Sequence, residues 1–260
     1  MILDKIVKHK VVELERAKRE NPLELISSRL ERMSSPLDFY GAVKPNGTPK
    51  IIAEVKRASP SKGILRNNFS PEEIARGYER AGASAVSVLT DREFFKGDLV
   101  HLRRVKESVR IPVLRKDFII DPYQVYEARL YGADAVLLIA AILDRKKMEE
   151  LLGLVRSLGM SALVEVHDEW ELEKALAAGG DIIGINNRNL KTFDVSLDVS
   201  IRISKLVPQG KVVVAESGIS STRDLRRLID EGIYVFLIGE AFMRASDPGE
   251  MLRKMLLEFR

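Results

Sequence analysis

Eight short apolar runs, the amphipathic stretches between them and four glycine junctions predict an α/β fold. The expected architecture is a single (β/α)8 TIM barrel spanning residues 1–260, with residues 1–48 as an N-terminal helical extension. The runs are 51–56, 85–89, 113–116, 135–139, 162–166, 182–185, 212–216 and 234–238. They are rich in Val, Ile and Leu with little polar alternation, as in parallel strands covered on both faces. The junctions are Gly82-Ala83, Gly132-Ala133, Gly180-Asp181 and Gly232-Ile233, each between a helical stretch and a strand. Glycine there can end a helix in a left-handed conformation.

The helical stretches carry their own signals. Pro71, Glu72 and Glu73 follow Ser70, which is placed as an N-cap; Pro122 follows Asp121 in the same way. Leu151, Leu152, Val155 and Leu158 form one apolar stripe. Ser221 precedes Asp224, Leu225, Leu228 and Ile229, and Pro248 opens a last helix with Met251, Leu252, Met255 and Leu256. No Gly-x-Gly-x-x-Gly follows the first strand and no P-loop is present, so a closed barrel is preferred to an open doubly wound sheet. In the extension, 3–18 has helical spacing and 22–33 predicts a second short helix. It either plugs and buttresses the barrel or covers its mouth.

Composition narrows the function. The chain has 260 residues, 45% hydrophobic and 31% charged, enough for a sizeable core. It contains no cysteine, which excludes disulfides, thiolate metal sites and a cysteine nucleophile. No stretch has the roughly 18 apolar residues of a membrane span, and the Met1-Ile2-Leu3-Asp4-Lys5 start has no apolar signal core. A cytoplasmic protein with no membrane partner is expected. Net charge is +4, from 42 basic and 38 acidic residues. Pairs such as Arg103-Arg104 and Arg226-Arg227 read as solvated helix faces, so no nucleic-acid partner is expected. Scarce glutamine beside abundant Lys, Arg and Glu leans towards a thermophilic source. Oligomeric state stays open, with nothing calling for more than a monomer.

Barrel enzymes place reacting groups at the carboxyl ends of their strands. Those ends read Glu54-Val55-Lys56, Lys116-Asp117, Val164-Glu165, Asn186-Asn187-Arg188, Glu216-Ser217-Gly218 and Gly239-Glu240. Glu54 and Lys56 lie two apart on a strand and project to the same side. With Lys116, Glu165 and Glu216 they form a cluster of both signs, since isolated buried charges cost too much. It is either an active site or a structural ion-pair network. Ser217-Gly218 and Gly239-Glu240, in the last two loops, suit a phosphate held by backbone N–H groups. Ser59-Pro60-Ser61-Lys62-Gly63 adds hydroxyls and a cation. No metal is expected: His9, His101 and His167 have no paired spacing and read as surface or packing residues. No Gly-x-Ser-x-Gly elbow is present.

Taken in order, these segments resemble one family. Ile52-Ala53-Glu54-Val55-Lys56-Arg57-Ala58-Ser59-Pro60-Ser61-Lys62-Gly63, Ser87-Val88-Leu89-Thr90-Asp91, Leu114-Arg115-Lys116-Asp117-Phe118, Leu163-Val164-Glu165-Val166, Gly184-Ile185-Asn186-Asn187-Arg188 and Ala215-Glu216-Ser217-Gly218-Ile219 are similar to the signatures of indole-3-glycerol-phosphate synthases. The resemblance covers nearly the whole chain. It implies conversion of a small phosphosugar substrate, 1-(2-carboxyphenylamino)-1-deoxyribulose 5-phosphate, to indole-3-glycerol phosphate, carbon dioxide and water in tryptophan biosynthesis. It implies no organic cofactor and no metal. Lys116 would be the general acid, with Lys56 a second candidate; Glu165 would be the base. Lys56 would bind the substrate carboxylate with Glu54 as its charge partner, and Arg188 would support that end. Asn186 and Glu216 would hold hydroxyls or the anilino nitrogen. Ser59, Ser217, Gly218, Gly239 and the backbone of Glu240 would hold phosphate. Phe95, Phe118, Leu137 and Leu190 would wall the ring. Glu240 departs from the small residue common in the family, so its side chain must point away from the phosphate. A rival barrel of the same pathway, phosphoribosylanthranilate isomerase, usually relies on a cysteine base that is absent here.

Overall fold

The computed structural model describes residues 2–259. Eight parallel strands close into a barrel: β1 (Lys50–Val55), β2 (Ala85–Leu89), β3 (Val113–Lys116), β4 (Ala135–Ile139), β5 (Ser161–Val166), β6 (Ile182–Asn186), β7 (Val212–Glu216) and β8 (Val235–Ile238). Each pairs with its sequence neighbours, and β8 closes on β1 with Ile52 opposite Leu237. β1 starts and ends one residue earlier than the sequence predicts, so Lys56 stands just beyond it. β5 starts one residue earlier, at Ser161; β6 extends to include Asn186; β8 starts at Val235. Side chains alternate as the pleat requires. Ile51, Ala53 and Val55 face the outer helices, whereas Ile52 packs inside with Leu114, Leu163, Val214 and Leu237.

The helices are α1 (Ile2–Glu20), α2 (Leu23–Leu30), α3 (Phe39–Val43), α4 (Pro71–Ala81), α5 (Leu99–Ser108), α6 (Pro122–Leu130), α7 (Arg145–Ser157), α8 (Glu169–Ala177), α9 (Asp198–Ser204), α10 (Thr222–Asp230), α11 (Glu240–Arg244) and α12 (Pro248–Leu257). Asp121 accepts from the Tyr123 N–H at 2.9 Å, and Ser221 and Asp224 form a reciprocal capping box. Ser70 sits at the N-cap of α4, but its side chain makes no capping hydrogen bond. Gly82, Gly132 and Gly232 are left-handed, as their junctions predict. At the fourth junction the left-handed residue is Gly179, not Gly180. Gly180 already belongs to the entry into β6, where an added Cβ would crowd Ala175 O at 3.1 Å. The outer ring closes where α12 meets α4: a Cβ on Gly249 would stand 2.8 Å from Gly77 O. Arg103, Arg104, Arg226 and Arg227 are exposed.

The N-terminal extension does both things the sequence left open. Phe39 and Val43 of α3 are fully buried among Ile52, Ala85 and Val235, at the amino ends of the strands. Leu37 N–H donates to Asp134 Oδ1 at 2.7 Å and Tyr40 Oη to Gly210 O at 3.3 Å, both in loops that enter strands. That part plugs the bottom. α1 crosses the opposite end. Its Ile6 packs with Leu137, Ile139 and Leu237. Its Lys10 ammonium is buried 3.0 Å from both Asp91 and Asp117, at the carboxyl ends of β2 and β3. Tyr123 Oη donates to Ala17 O and Asn21 O at 2.9 Å, tying the end of α1 to α6.

Candidate active site

A cavity opens at the carboxyl ends of the strands, under α1. Every site residue predicted from the sequence lines it: Glu54, Lys56, Ser59, Phe95, Lys116, Phe118, Leu137, Glu165, Asn186, Arg188, Leu190, Glu216, Ser217, Gly218, Gly239 and Glu240. The sequence reading missed Ile2, Leu3 and Ile6, which α1 lowers onto the rim, and Phe193 from the loop after β6.

The floor is charged. Lys116, last residue of β3, holds its Nζ 3.1 Å from Glu216, 3.4 Å from Glu165 and 3.8 Å from Glu54. Lys56 Nζ lies 2.5 Å from the other oxygen of Glu54. The three carboxylates come from β7, β5 and β1, so strand register alone brings them to one ammonium. Burial works against a charged Lys116, but Glu216, Glu165 and Glu54 outweigh it and hold the proton well above the usual lysine range. Burial likewise opposes ionised Glu165 and Glu54. Lys116 and then His167 outweigh it at Glu165, and Lys56 and Lys116 at Glu54, so both stay below the usual carboxylate range. Glu216 differs. Burial pushes it up to about 7, Lys116 offsets this only in part, and Glu165 adds to it. Its Oε1 is buried without a hydrogen-bond partner among the described residues. A Cβ on Gly184 would collide with that oxygen, so glycine there leaves room for the carboxyl.

One wall is apolar. Phe95 and Phe118 stack at a tilt with ring centroids 5.9 Å apart, and Leu137 and the α1 side chains lie beside them. Phe94 and Phe95 N–H groups donate to Asp91 Oδ1 at 2.7 and 3.3 Å, which fixes the loop carrying the ring. The opposite wall is backbone-rich. Ser217 and Gly218 both have positive φ, 65° and 80°. Asn187 Nδ2 donates to Ser217 O at 3.1 Å and Asn187 Oδ1 accepts from Ser200 N–H at 3.0 Å, so β6 and α9 brace this loop. Gly239 precedes α11 in an ordinary negative-φ conformation. A Cβ on it would collide with Glu54, so glycine here serves the charged floor as well as any ligand. Glu240 is tethered sideways, its Oε1 3.1 Å from Arg244 Nε and its Oε2 3.6 Å from Arg188.

His167 corrects the sequence reading of a packing or surface histidine. It lies two residues past Glu165, the same spacing that pairs Glu54 with Lys56, and that spacing could have found it. Its ring stands between two carboxylates, 3.3 Å from Glu165 and 3.0 Å from Glu171. Among the described residues, no group of three or more His, Asp or Glu side chains is arranged to hold a metal ion. No helix among them is long and apolar enough to cross a membrane.

An eight-stranded parallel barrel whose strand ends converge on a buried, mixed-charge cluster beneath a lid defines a (β/α)8-barrel enzyme. Solved structures of that fold align with it. A KGPDC from Streptococcus mutans aligns at TM-score 0.64 and 12% identity, over 81% of this chain and 98% of that one. A thiamine phosphate pyrophosphorylase from Pyrococcus furiosus aligns at 0.61 and 19%, over 82% and 98%. At such identities the likeness is one of fold. Sequence goes further: the family model for indole-3-glycerol phosphate synthase matches residues 3–255. An indole-3-glycerol phosphate synthase of Polaromonas sp. is 50% identical over 98% of this chain and 97% of its own. One of Acetivibrio thermocellus is 48% identical over 98% of each. The chain belongs to the indole-3-glycerol phosphate synthase family.

Proposed function

We propose that the charged floor carries the family's reaction, with each residue in a defined role. The enzyme is a carboxy-lyase. It closes the ring of 1-(2-carboxyphenylamino)-1-deoxyribulose 5-phosphate, then removes carbon dioxide and water to give indole-3-glycerol phosphate. The ring carbon that bears the carboxylate attacks the substrate carbonyl, and the carbonyl oxygen takes a proton. Carbon dioxide leaves and the ring regains aromaticity. The new hydroxyl takes a second proton and departs as water, and a proton is lost from the carbon beside nitrogen.

The observation that carries the assignment is one ammonium, Lys116, facing three carboxylates at 3.1–3.8 Å. Lys116 is the proton donor to the oxygen. Its tightly held proton is no obstacle, because the acceptors, a developing alkoxide in ring closure and a departing hydroxide in dehydration, are both stronger bases than the amine. Glu165 takes the proton from carbon. Cationic charge on the anilino nitrogen, formed on ring closure and again on loss of water, is stabilised by the facing carboxylates. Lys56, with Glu54, binds the substrate carboxylate, and Arg188 supports that end. Asn186 holds a hydroxyl. Glu216, titrating near neutrality, does the same for a hydroxyl or the anilino nitrogen and can restore the proton on Lys116. Phe95, Phe118, Leu137 and Leu190 sandwich the anthranilate ring. Ser59, Ser217, Gly218, Gly239 and the backbone of Glu240 hold the phosphate.

Incubation of the protein with the carboxyphenylamino-deoxyribulose phosphate should generate indole fluorescence. Glu165→Gln should lower kcat at least about a hundredfold, within the range for a lost general base. A folded protein that produces no fluorescence would sink the reading; a fully active Glu165→Gln would remove Glu165 from it.

A further inference from the structure

His167 touches the charged floor from behind. It does not line the mouth cavity; it lines an adjoining cleft beside α1, with Asp168 and Glu171, which shares Leu3, Asn186, Arg188 and Leu190 with that cavity. Its side chain is 12% exposed. Glu171, in the first turn of α8, grips it twice: Oε2 accepts the backbone N–H of His167 at 2.9 Å and faces ring Nδ1 at 3.0 Å. With the ring so fixed, Nε2 lies 3.3 Å from Glu165 Oε1, at ion-pair distance but without hydrogen-bond alignment. The other oxygen of Glu165, Oε2, faces Lys116 at 3.4 Å.

A neutral imidazole has one N–H and one lone pair, so it would turn a lone pair on one of these carboxylates. Only the doubly protonated ring suits both. The surroundings agree. Burial pushes His167 towards losing its proton, but Glu165 and Glu171 outweigh that and raise it to about 10. The other charged and polar groups around the pair are Lys116 from β3, Glu54 from β1, Asn186 from β6 and Glu216 from β7. On the cleft side stand Asp168; Lys8 and Asp4 from α1; Arg188, Lys191 and Asp194 from the loop after β6; and Arg202 from α9.

We propose that His167 is a positioning residue: clamped by Glu171, it fixes the Oε1 edge of Glu165 so that Oε2 alone is turned to the reacting atoms. The inference rests on the reading of Glu165 as the base. Its logic lies in what changes during turnover. Lys116 is assigned to give up its proton, so its hold on Glu165 weakens mid-reaction. His167 lies outside the substrate cavity and keeps its charge throughout. The carboxylate therefore retains one fixed partner while the other is consumed, and it neither swings away nor takes up a proton from solvent.

The test compares His167→Ala, His167→Gln, Glu171→Gln and Glu165→Gln by steady-state kinetics across pH. His167→Ala should lower kcat at least about tenfold, the scale of a misplaced catalytic group, with KM within about threefold of wild type. Removing a cation raises the pKa of the neighbouring carboxyl. The acid limb of kcat/KM should therefore move to higher pH, by about one unit, in His167→Ala and by less in Glu171→Gln. His167→Gln, which restores an N–H donor without the charge, should recover part of kcat but not the limb. If Glu165→Gln is inactive while His167→Ala matches wild type in kcat and pH profile, or changes KM alone, the positioning role is wrong and the base assignment stands. If Glu165→Gln is active, both fall together. Should His167→Ala fail to fold, nitrogen-15 spectra of the wild-type imidazole decide. Two protonated ring nitrogens at pH 8 are expected, and a neutral ring overturns the proposal.

Discussion

Lys10, on the N-terminal helix, places its ammonium 3.0 Å from Asp117, the residue that directly follows Lys116. Asp117 also receives Thr90 Oγ1 at 2.5 Å and Arg115 at 3.0 Å, and it sits well below the usual carboxylate range because Lys10 and Arg115 outweigh its burial. The lid helix is thus pinned, through one buried ion cluster, to the strand end that carries the proposed proton donor. Burial disfavours the Lys10 charge, and Asp117, Asp91 and Glu13 more than restore it.

Lys10→Met should therefore cost both stability and activity. The substitution keeps the stem but leaves Asp91 and Asp117 short of a cation in a buried site. Breaking such a pair typically costs about 3–5 kcal/mol. For a chain of this size about 3 kcal/mol corresponds to a Tm lowered by roughly 6–12 °C. KM should rise as the α1 side chains loosen over the cavity. Calorimetry showing an unchanged Tm would mean that the ion cluster does not anchor the helix.

Gly239→Ala tests the reason for that glycine. Were the position only a close approach to phosphate, KM would change and kcat would not. The added Cβ instead meets Glu54, the partner of Lys56 at 2.5 Å and of Lys116 at 3.8 Å. Kinetics should show kcat reduced at least about tenfold, as for a displaced catalytic group, together with a raised KM. Gly218→Ala should mainly raise KM, because its Cβ meets Val195, on the loop wall away from the charges. A normal kcat in Gly239→Ala would show that Glu54 can move aside harmlessly.

Activity should survive exhaustive EDTA treatment, since the proposed roles are filled by ammonium and carboxylate groups and none asks for a metal ion. Loss of turnover on chelation, restored by added zinc or magnesium, would contradict this.

Much of this site was legible in the sequence because barrel geometry is regular. Apolar runs buried on both faces mark the strands, and polar residues at their ends must then meet. Glu54, Lys56, Lys116, Glu165 and Glu216 follow from that argument alone. Lys10 could not be read this way. On an amphipathic helix it resembles any solvated lysine, and its partners Asp91 and Asp117 come from distant segments that only the closed barrel brings together. The room that Gly184 leaves for Glu216, and that Gly239, expected only at the phosphate, leaves for Glu54, was obscure for a related reason: each carboxylate comes from another strand. The carboxylate contacts of His167, which the sequence reads as a surface or packing residue, were hidden because a search for metal pairs compares histidines with one another, not with the carboxylate two residues away.

Stability should fall with rising pH above neutrality. His167 is raised from 6.5 to about 10, so its contribution is complete below about pH 6.5 and is lost as pH rises through 10. Glu216, raised from 4.5 to about 7, acts in the same direction at lower pH, its contribution fading between those values. One extra bound proton corresponds to at most about 1.4 kcal/mol per pH unit. Denaturant midpoints from pH 7 to 10 should decline in wild type and decline less in His167→Gln. Parallel curves for the two proteins would mean that His167 is not charged in the fold.

Lys116→Met is the sharpest test of the assigned donor. The side chain keeps its length and apolar stem, and only the ammonium is lost. Loss of a general acid typically costs about 10²–10⁴-fold, so kcat should drop at least about a hundredfold. Binding should suffer less, because the assigned phosphate and carboxylate contacts lie on other loops. A product-like ligand should bind within about tenfold of wild type. The variant also leaves Glu216, Glu165 and Glu54 facing one another without their shared cation. With the burial of Glu216 already disfavouring its charge, at least one of the three should take up a proton near neutrality. A steeper loss of stability from pH 6 to pH 8 than in wild type should follow, a signature that an uncharged structural lysine would not leave. If Lys116→Met turns over normally, Lys56, 2.5 Å from Glu54, becomes the donor to test next.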